Sequence, residues 1–534
     1  MPAPTALRPA RLHPFTGHDI PWLLRAQAHR RGDHPFLVFA GFHGAAEIWT
    51  YSRFHAAVGR LAHGLVHQLG VRLGDHVLLH MDNCIEFLLT WHALARIGAV
   101  AVTTNTRSAG GELTYFATHS EAVLVVTQPS YESALREAAP AARAFIVTAT
   151  DCGASPEVPR RSDAVPFEAL VASEVPELPE RTPDPLLPLS VQYTSGTTAR
   201  PKGVVWTHAN GLWGARTNAV VCSVRPDDIG HAFLPLFHTN ALCYSHLSTL
   251  WAGATLVLQP RFSASRYWAC QVEHRCTWGI HIPFSLKALL GQPVPKGHVL
   301  TRWGLGAIDP AVVLQVFGIP SVGWFGMTET VGLPIASYPA LPGREMAMGL
   351  AAPGYEVEVR RDDGSEAPFG ESGRLWVRGV PGLSLFLEYL HAPEATAAAF
   401  DADGWFDTGD LVTAFEDGHI RFDGREKDML RIGAENVGAA EIERAVMSAG
   451  GIVEVAVVGR PDPMLDEVPV AYVIPMGPVE GLVERVTEAC ARQLADFKRP
   501  REVVVVAELP RVTLGKVDKK SLRAQLAARE ASHG

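Results

Sequence analysis

Tyr193-Thr-Ser-Gly-Thr-Thr-Ala-Arg-Pro-Lys-Gly203 is a run of small hydroxyl and glycine residues that ends in a lysine. It follows a short apolar run, Leu189 to Tyr193. Glycines let backbone N–H groups approach an anion closely, and hydroxyls and a lysine add donors and charge. The stretch therefore predicts a loop that holds a polyphosphate. It is not a Walker A loop. Gly196 and Lys202 have that spacing, but Pro201 stands at the second glycine and Gly203 at the magnesium-binding Ser or Thr.

Upstream of the loop the pattern alternates. Val77-Leu-Leu-His-Met81 reads as a buried strand, and Cys84 to Ile97 carries apolar residues at helical spacing. Ala99 to Val102 and Ala122 to Val126 read as further strands with a helix-like segment between them. Such alternation predicts an α/β fold, its mainly parallel sheets covered by helices. Eight prolines between 151 and 188 predict a surface linker there. Past Gly424 the character changes to helix (Ala439 to Ser448), strand (Val453 to Val458), strand (Val468 to Ile474), helix (Val479 to Ala495), strand (Glu502 to Val506). The expected organisation is a large domain over 1–424, a hinge at 425–428 and a small mobile α+β domain over 429–534.

At 534 residues the chain exceeds one core. It is 47% hydrophobic and 19% charged with net charge −9, the composition of a globular protein with a large core. No basic stretch stands out from that acidic background, which argues against a nucleic-acid partner. The seven cysteines are scattered, with no CxxC pair, so free thiols in a reducing cytoplasm are expected. No run approaches the length of a membrane span, and the N-terminus lacks the apolar core of a signal peptide. Oligomeric state is left open, a homodimer included.

Further segments follow the opening loop in order: Phe233-Leu-Pro-Leu-Phe-His238, Gly323-Trp-Phe-Gly-Met-Thr-Glu329, Gly373-Arg-Leu-Trp-Val-Arg-Gly379, Gly404-Trp-Phe-Asp-Thr-Gly-Asp410, Phe422-Asp-Gly-Arg-Glu-Lys-Asp428 and Pro510-Arg-Val-Thr-Leu-Gly-Lys516. This ordered set resembles the adenylate-forming superfamily of acyl-CoA synthetases, firefly-type luciferases and peptide-synthetase adenylation domains. Phe237-His-Thr-Asn240, Gly404-Trp-Phe and Gly433-Ala-Glu-Asn436 look most like the carnitine/crotonobetaine–CoA ligase branch. The resemblance implies an AMP-forming carboxylate–CoA ligase. A small or medium acid, ATP and CoA would be its partners and Mg²⁺ its cation. An amide-forming ligase or carrier-protein loader is the first alternative, and a non-catalytic nucleotide sensor the second.

The same resemblance implies roles by position. Thr194, Ser195, Gly196, Thr197, Thr198 and Lys202 would wrap the phosphates. Gly304, Gly306, Ala307 and Phe325 would border adenine, with Ala307 replacing the family's proline, and Gly326 and Met327 would belong to the same nucleotide site. Thr328 would contact the α-phosphate and Glu329 would help hold Mg²⁺, a hard cation that prefers oxygen. Asp410 and Arg425 would take the ribose. Lys516 would bridge carboxylate and phosphate in the first step, then withdraw by rotation about Lys427. His238, Thr239, Asn240, Pro283, Trp324, Val331 and Gly332 would line the acid pocket, which Trp324 shortens. Gly433, Ala434, Glu435 and Asn436 would border the CoA arm, Ala434 standing where relatives often carry a second glycine.

Overall fold

The computed structural model describes residues 13–194, 200–306, 310–338, 344, 347–361, 363–425, 429–433, 435–477, 479–510 and 517–531, which form three sheets. In the eight-stranded sheet, His76–His80, Val100–Thr103, Leu124–Thr127, Ala144–Val147 and Pro188–Thr194 run parallel. Helices Ile85–Ile97, Gly111–His119 and Pro129–Ala138 intervene. Strands Val100–Thr103 and Leu124–Thr127 are buried at every position, as parallel strands covered on both faces must be. The helix Ile85–Ile97 stops at Gly98, whose φ of +84° closes the last turn, a conformation glycine adopts without strain.

The thirteen-stranded sheet has two halves. Pro35–Phe39, Thr255–Leu258, Ile229–Ala232, Trp278–His281, Arg302–Gly306 and Ser321–Phe325 are parallel. Beyond them Ile335–Ala336, Ala347–Ala351, Ile420–Arg425, Trp405–Ala414, Ser372–Arg378 and Glu356–Arg360 pair antiparallel. The α/β reading thus holds, with an antiparallel extension where alternation replaces continuous burial, as along Ser372–Arg378.

The third sheet pairs Met429–Ile432, Glu435–Gly438, Ile452–Asp462 and Asp466–Pro475 antiparallel, with Glu502–Val505 parallel to the last. Ala471 and Val473 face a core with helices Ala439–Met447 and Leu482–Gln493, while Val470 and Tyr472 face Leu522 and Leu526 of helix Lys519–Ala531. The period-two alternation of one strand thus serves two cores.

Two local expectations change. Residues 151–188 are more than a linker: Val165–Pro166 pairs with the sheet, and helix Phe167–Val171 buries Phe167 and Leu170. The hairpin Met429–Gly438 was not foreseen in the sequence. Its strands are short, and its turn relies on Gly433 at φ +64°.

Candidate active site

Thr194 ends one strand and Lys202 begins the next, opposite each other in register, so the strands on either side of the quoted stretch pair antiparallel. Ser195, Gly196, Thr197 and Thr198 lie outside the described residues. The short strand Glu388–Tyr389 pairs with Val204 and Val205. It places the Tyr389 ring 4.4 Å from Lys202 Nζ and lets the Tyr389 hydroxyl donate to Glu329 Oε1 at 3.0 Å. Burial, reinforced by the Glu329 charge, pushes the Tyr389 phenol up, so it stays a donor. Glu329 itself is 5% exposed.

Thr328 and Glu329 sit in one 3₁₀ turn after strand Ser321–Phe325. The Trp206 indole N–H donates to Thr328 O at 2.9 Å, and Phe386 N–H to Glu329 O at 2.8 Å. The next residue, Val331, has φ +60° and ψ −60°, with Gly332 N–H reaching back to Thr330 O at 2.5 Å. That is a γ-turn of the rare, strained kind, here on a β-branched residue. Tyr355 secures it, accepting from Gly332 N–H at 3.2 Å and donating to Thr330 O at 2.8 Å.

Two glycines admit aromatic side chains to this region. A Cβ on Gly304 would lie 1.9 Å from the Trp324 ring, and one on Gly326 would lie 2.4 Å from the Tyr244 hydroxyl. Phe325 is buried and Met327 half-buried. His238 and Thr239 precede a π-helix, Asn240–Leu247, an irregularity common at functional sites. Thr239 Oγ1 lies 3.2 Å from Thr328 Oγ1, which ties the expected acid pocket to the expected phosphate site. Asp410 is fully buried and stands opposite Arg425 across two antiparallel strands. Gly306 ends the strand that starts at Arg302, and Pro283 opens helix Pro283–Lys287. Ala307, Lys427, Ala434 and Lys516 lie outside the described residues.

The third sheet docks on this site. Glu435, on the strand after Gly433, meets His238 Nε2 at 3.1 and 3.2 Å, while Asn436 follows it on the same strand. Burial alone would disfavour the imidazolium, but the charge and hydrogen bond of Glu435 outweigh it and raise the His238 pKa. Glu435 is shifted the opposite way: His238 overcomes its burial and lowers it. A second contact buries Lys498 between Glu441, at 2.7 Å, and Glu112 of the eight-stranded side. Arg107 stacks on Phe497 at 3.9 Å, and Lys287 pairs with Asp466 at 2.5 Å. Sequence reasoning missed Gln192, Tyr389 and the Lys498 cluster. Gln192 was visible as an amide inside an apolar run; the others carry no local signal.

The family profile of AMP-binding enzymes matches residues 24–390, and that of the AMP-binding enzyme C-terminal domain matches 441–516. The chain is 32% identical over 505 residues to a crotonobetaine/carnitine–CoA ligase of Salmonella paratyphi A, covering 92% of this chain and 96% of the relative. The fold is also similar to that of o-succinylbenzoate CoA synthetase from Bacillus subtilis. A double mutant of that synthetase bound with its product analogue OSB-NCoA matches with TM-score 0.80 at 26% identity, covering 94% of this chain and 98% of that one. The same synthetase in complex with AMP matches with TM-score 0.66 at 25% identity, covering 94% and 97%. Among the described residues no helix is long and apolar enough to cross a membrane.

Proposed function

Because the chain belongs to the AMP-binding enzyme family and is an AMP-forming acid–CoA ligase, we propose that it takes a small or medium organic acid, aliphatic or aromatic, through an acyl-adenylate. In the first step the carboxylate oxygen attacks the α-phosphorus of ATP, and the bond to the bridging oxygen breaks to release pyrophosphate. In the second the CoA sulfur, having lost its proton, attacks the acyl carbon and AMP departs. A carboxylate is a poor electrophile, so making AMP the leaving group is the essential service. The protein must hold the reactants in line and meet charge on phosphorus.

The observation that carries this reading is convergence. Lys202, Thr239 and the adjacent pair Thr328 and Glu329 come from three separate parts of the chain yet are joined by direct contacts or through Tyr389. Lys202 and the hydroxyl and glycine residues before it would hold the β- and γ-phosphates, Thr328 the α-phosphate, and Asp410 with Arg425 the ribose. His238 would flank the substrate carboxylate. The donor set suits magnesium, since Glu329 is a buried carboxylate oriented by a phenol; Mg²⁺ bound there would offset phosphate charge. Trp324 and Tyr244 fill the space beside Gly304 and Gly326, which supports a short acid.

The docked third sheet carries Glu435 to His238 and so supports the second half-reaction as the arrangement seen. The higher similarity to the synthetase bound with a CoA product analogue points the same way. Rotation about Lys427 would exchange this face for Lys516. The free cysteines, six of them buried, support a reducing cytoplasm. The test is isotope exchange between pyrophosphate and ATP across a panel of acids, with and without CoA. Exchange without CoA, and acyl-CoA only with it, is expected. Exchange that needs CoA for every active acid would overturn the two-step scheme.

A further inference from the structure

Gln192 lies two residues before Thr194, on strand Pro188–Thr194, and is 2% exposed. Its Oε1 accepts from Thr239 Oγ1 at 2.9 Å, and the same hydroxyl lies 3.2 Å from Thr328 Oγ1. Its Nε2 is buried and, among the described residues, has no partner. An unmade hydrogen bond on a buried donor is costly, so such a group calls for a reason.

Counting protons supplies one. A threonine hydroxyl has a single proton to give. If Thr239 gives its proton to Gln192, the contact between the two threonines must use the proton of Thr328. Thr328 then presents only lone pairs to its surroundings, the wrong polarity for an anion. Half a turn of the Gln192 amide exchanges Nε2 and Oε1 in place. Nε2 then donates to Thr239, Thr239 donates to Thr328, and the Thr328 proton is free to meet a phosphate oxygen. The orientation of one buried amide thus sets the polarity of the whole row, and bonds in such a row reinforce one another.

We propose that Gln192 is a positioning residue for adenylate formation: acting through Thr239, it fixes the Thr328 hydroxyl as a donor to the α-phosphate. The proposal rests on the reading that Thr328 touches that phosphate, and the test separates the two. Gln192→Leu, Thr328→Val and the double variant are compared in pyrophosphate–ATP exchange with the full-length enzyme. Each single variant should lose roughly tenfold or more in kcat, the scale of one transition-state donor, while KM for the acid moves less than about threefold. The double variant should be no worse than the worse single one, because both remove the same interaction. Gln192→Met, similar in shape but without the amide, replaces the leucine variant if that one melts early. A harmless Thr328→Val would refute the reading of Thr328 and the proposal with it. An impaired Thr328→Val beside an unimpaired Gln192 variant, or losses that multiply in the double variant, would overturn the proposal alone.

Discussion

Tyr389 shows how a residue outside any motif can govern one inside it. Its hydroxyl is a described donor to Glu329, and its ring lies beside Lys202. Hydrogen bonds to charged groups contribute about 1.5–3 kcal/mol. Tyr389→Phe should therefore slow acid-dependent pyrophosphate exchange by roughly tenfold or more if the bond matters most in the transition state. Unchanged exchange would mean that Glu329 needs no orienting. Gly304 makes the opposite point, since what matters is the atom it lacks. A methyl group there would overlap the Trp324 ring, and overpacking of a full core costs typically about 1–3 kcal/mol. Gly304→Ala should lower the thermal midpoint by several degrees, and a melting curve decides it.

At the scale of elements, the hairpin Met429–Gly438 delivers Glu435 to His238, and helix Gly111–His119 offers Glu112 to Lys498. Both contacts titrate with the same sign. His238 is raised above its ordinary value of 6.5, so its contribution is complete below that value and is lost as pH climbs through the raised one. Glu112, facing Lys498 and Glu441, is pushed up by burial to about 7 from 4.5. Its preference for the proton also favours docking at low pH, and that contribution is lost as pH climbs from 4.5 to about 7. Glu435 and Glu441 are lowered, and Lys498 is raised, so none of them titrates in this window. Fluorescent labels on the third sheet and on the main body should report a docked fraction that falls from pH 5.5 to 8.5. A docked fraction that rises instead would contradict the assignment.

For the molecule as a whole, two lysines should separate the half-reactions. Lys498 is buried against carboxylates from both sides of the interface. Removing one partner of a buried ion cluster costs about 3–5 kcal/mol. Lys498→Met should thus undock the third sheet, depressing thioester formation from a supplied acyl-adenylate by tenfold or more while leaving pyrophosphate exchange intact. Lys516→Ala should do the reverse, losing roughly 10²-fold in exchange but still turning a supplied adenylate into thioester. Equal damage to both steps in both variants would rule out a rotation between two docked faces.

The sequence by itself determined the α/β architecture, because continuous apolar runs separated by helical periods can only pair as covered parallel strands. It also determined the order of the segments that the resemblance assigns to phosphate, adenine, ribose and CoA, because glycines, hydroxyls and carboxylates at motif spacing stand out in the chain itself. Only the tertiary structure decided which residues support them. Gln192 reaches Thr328 through Thr239, Tyr389 reaches Glu329 across 60 residues, and Lys498 reaches Glu112 across 386. Such partners are chosen by sheet register and by docking between cores. Neither leaves a period or a motif in the local sequence, because a single polar atom within hydrogen-bond reach is all the chemistry requires.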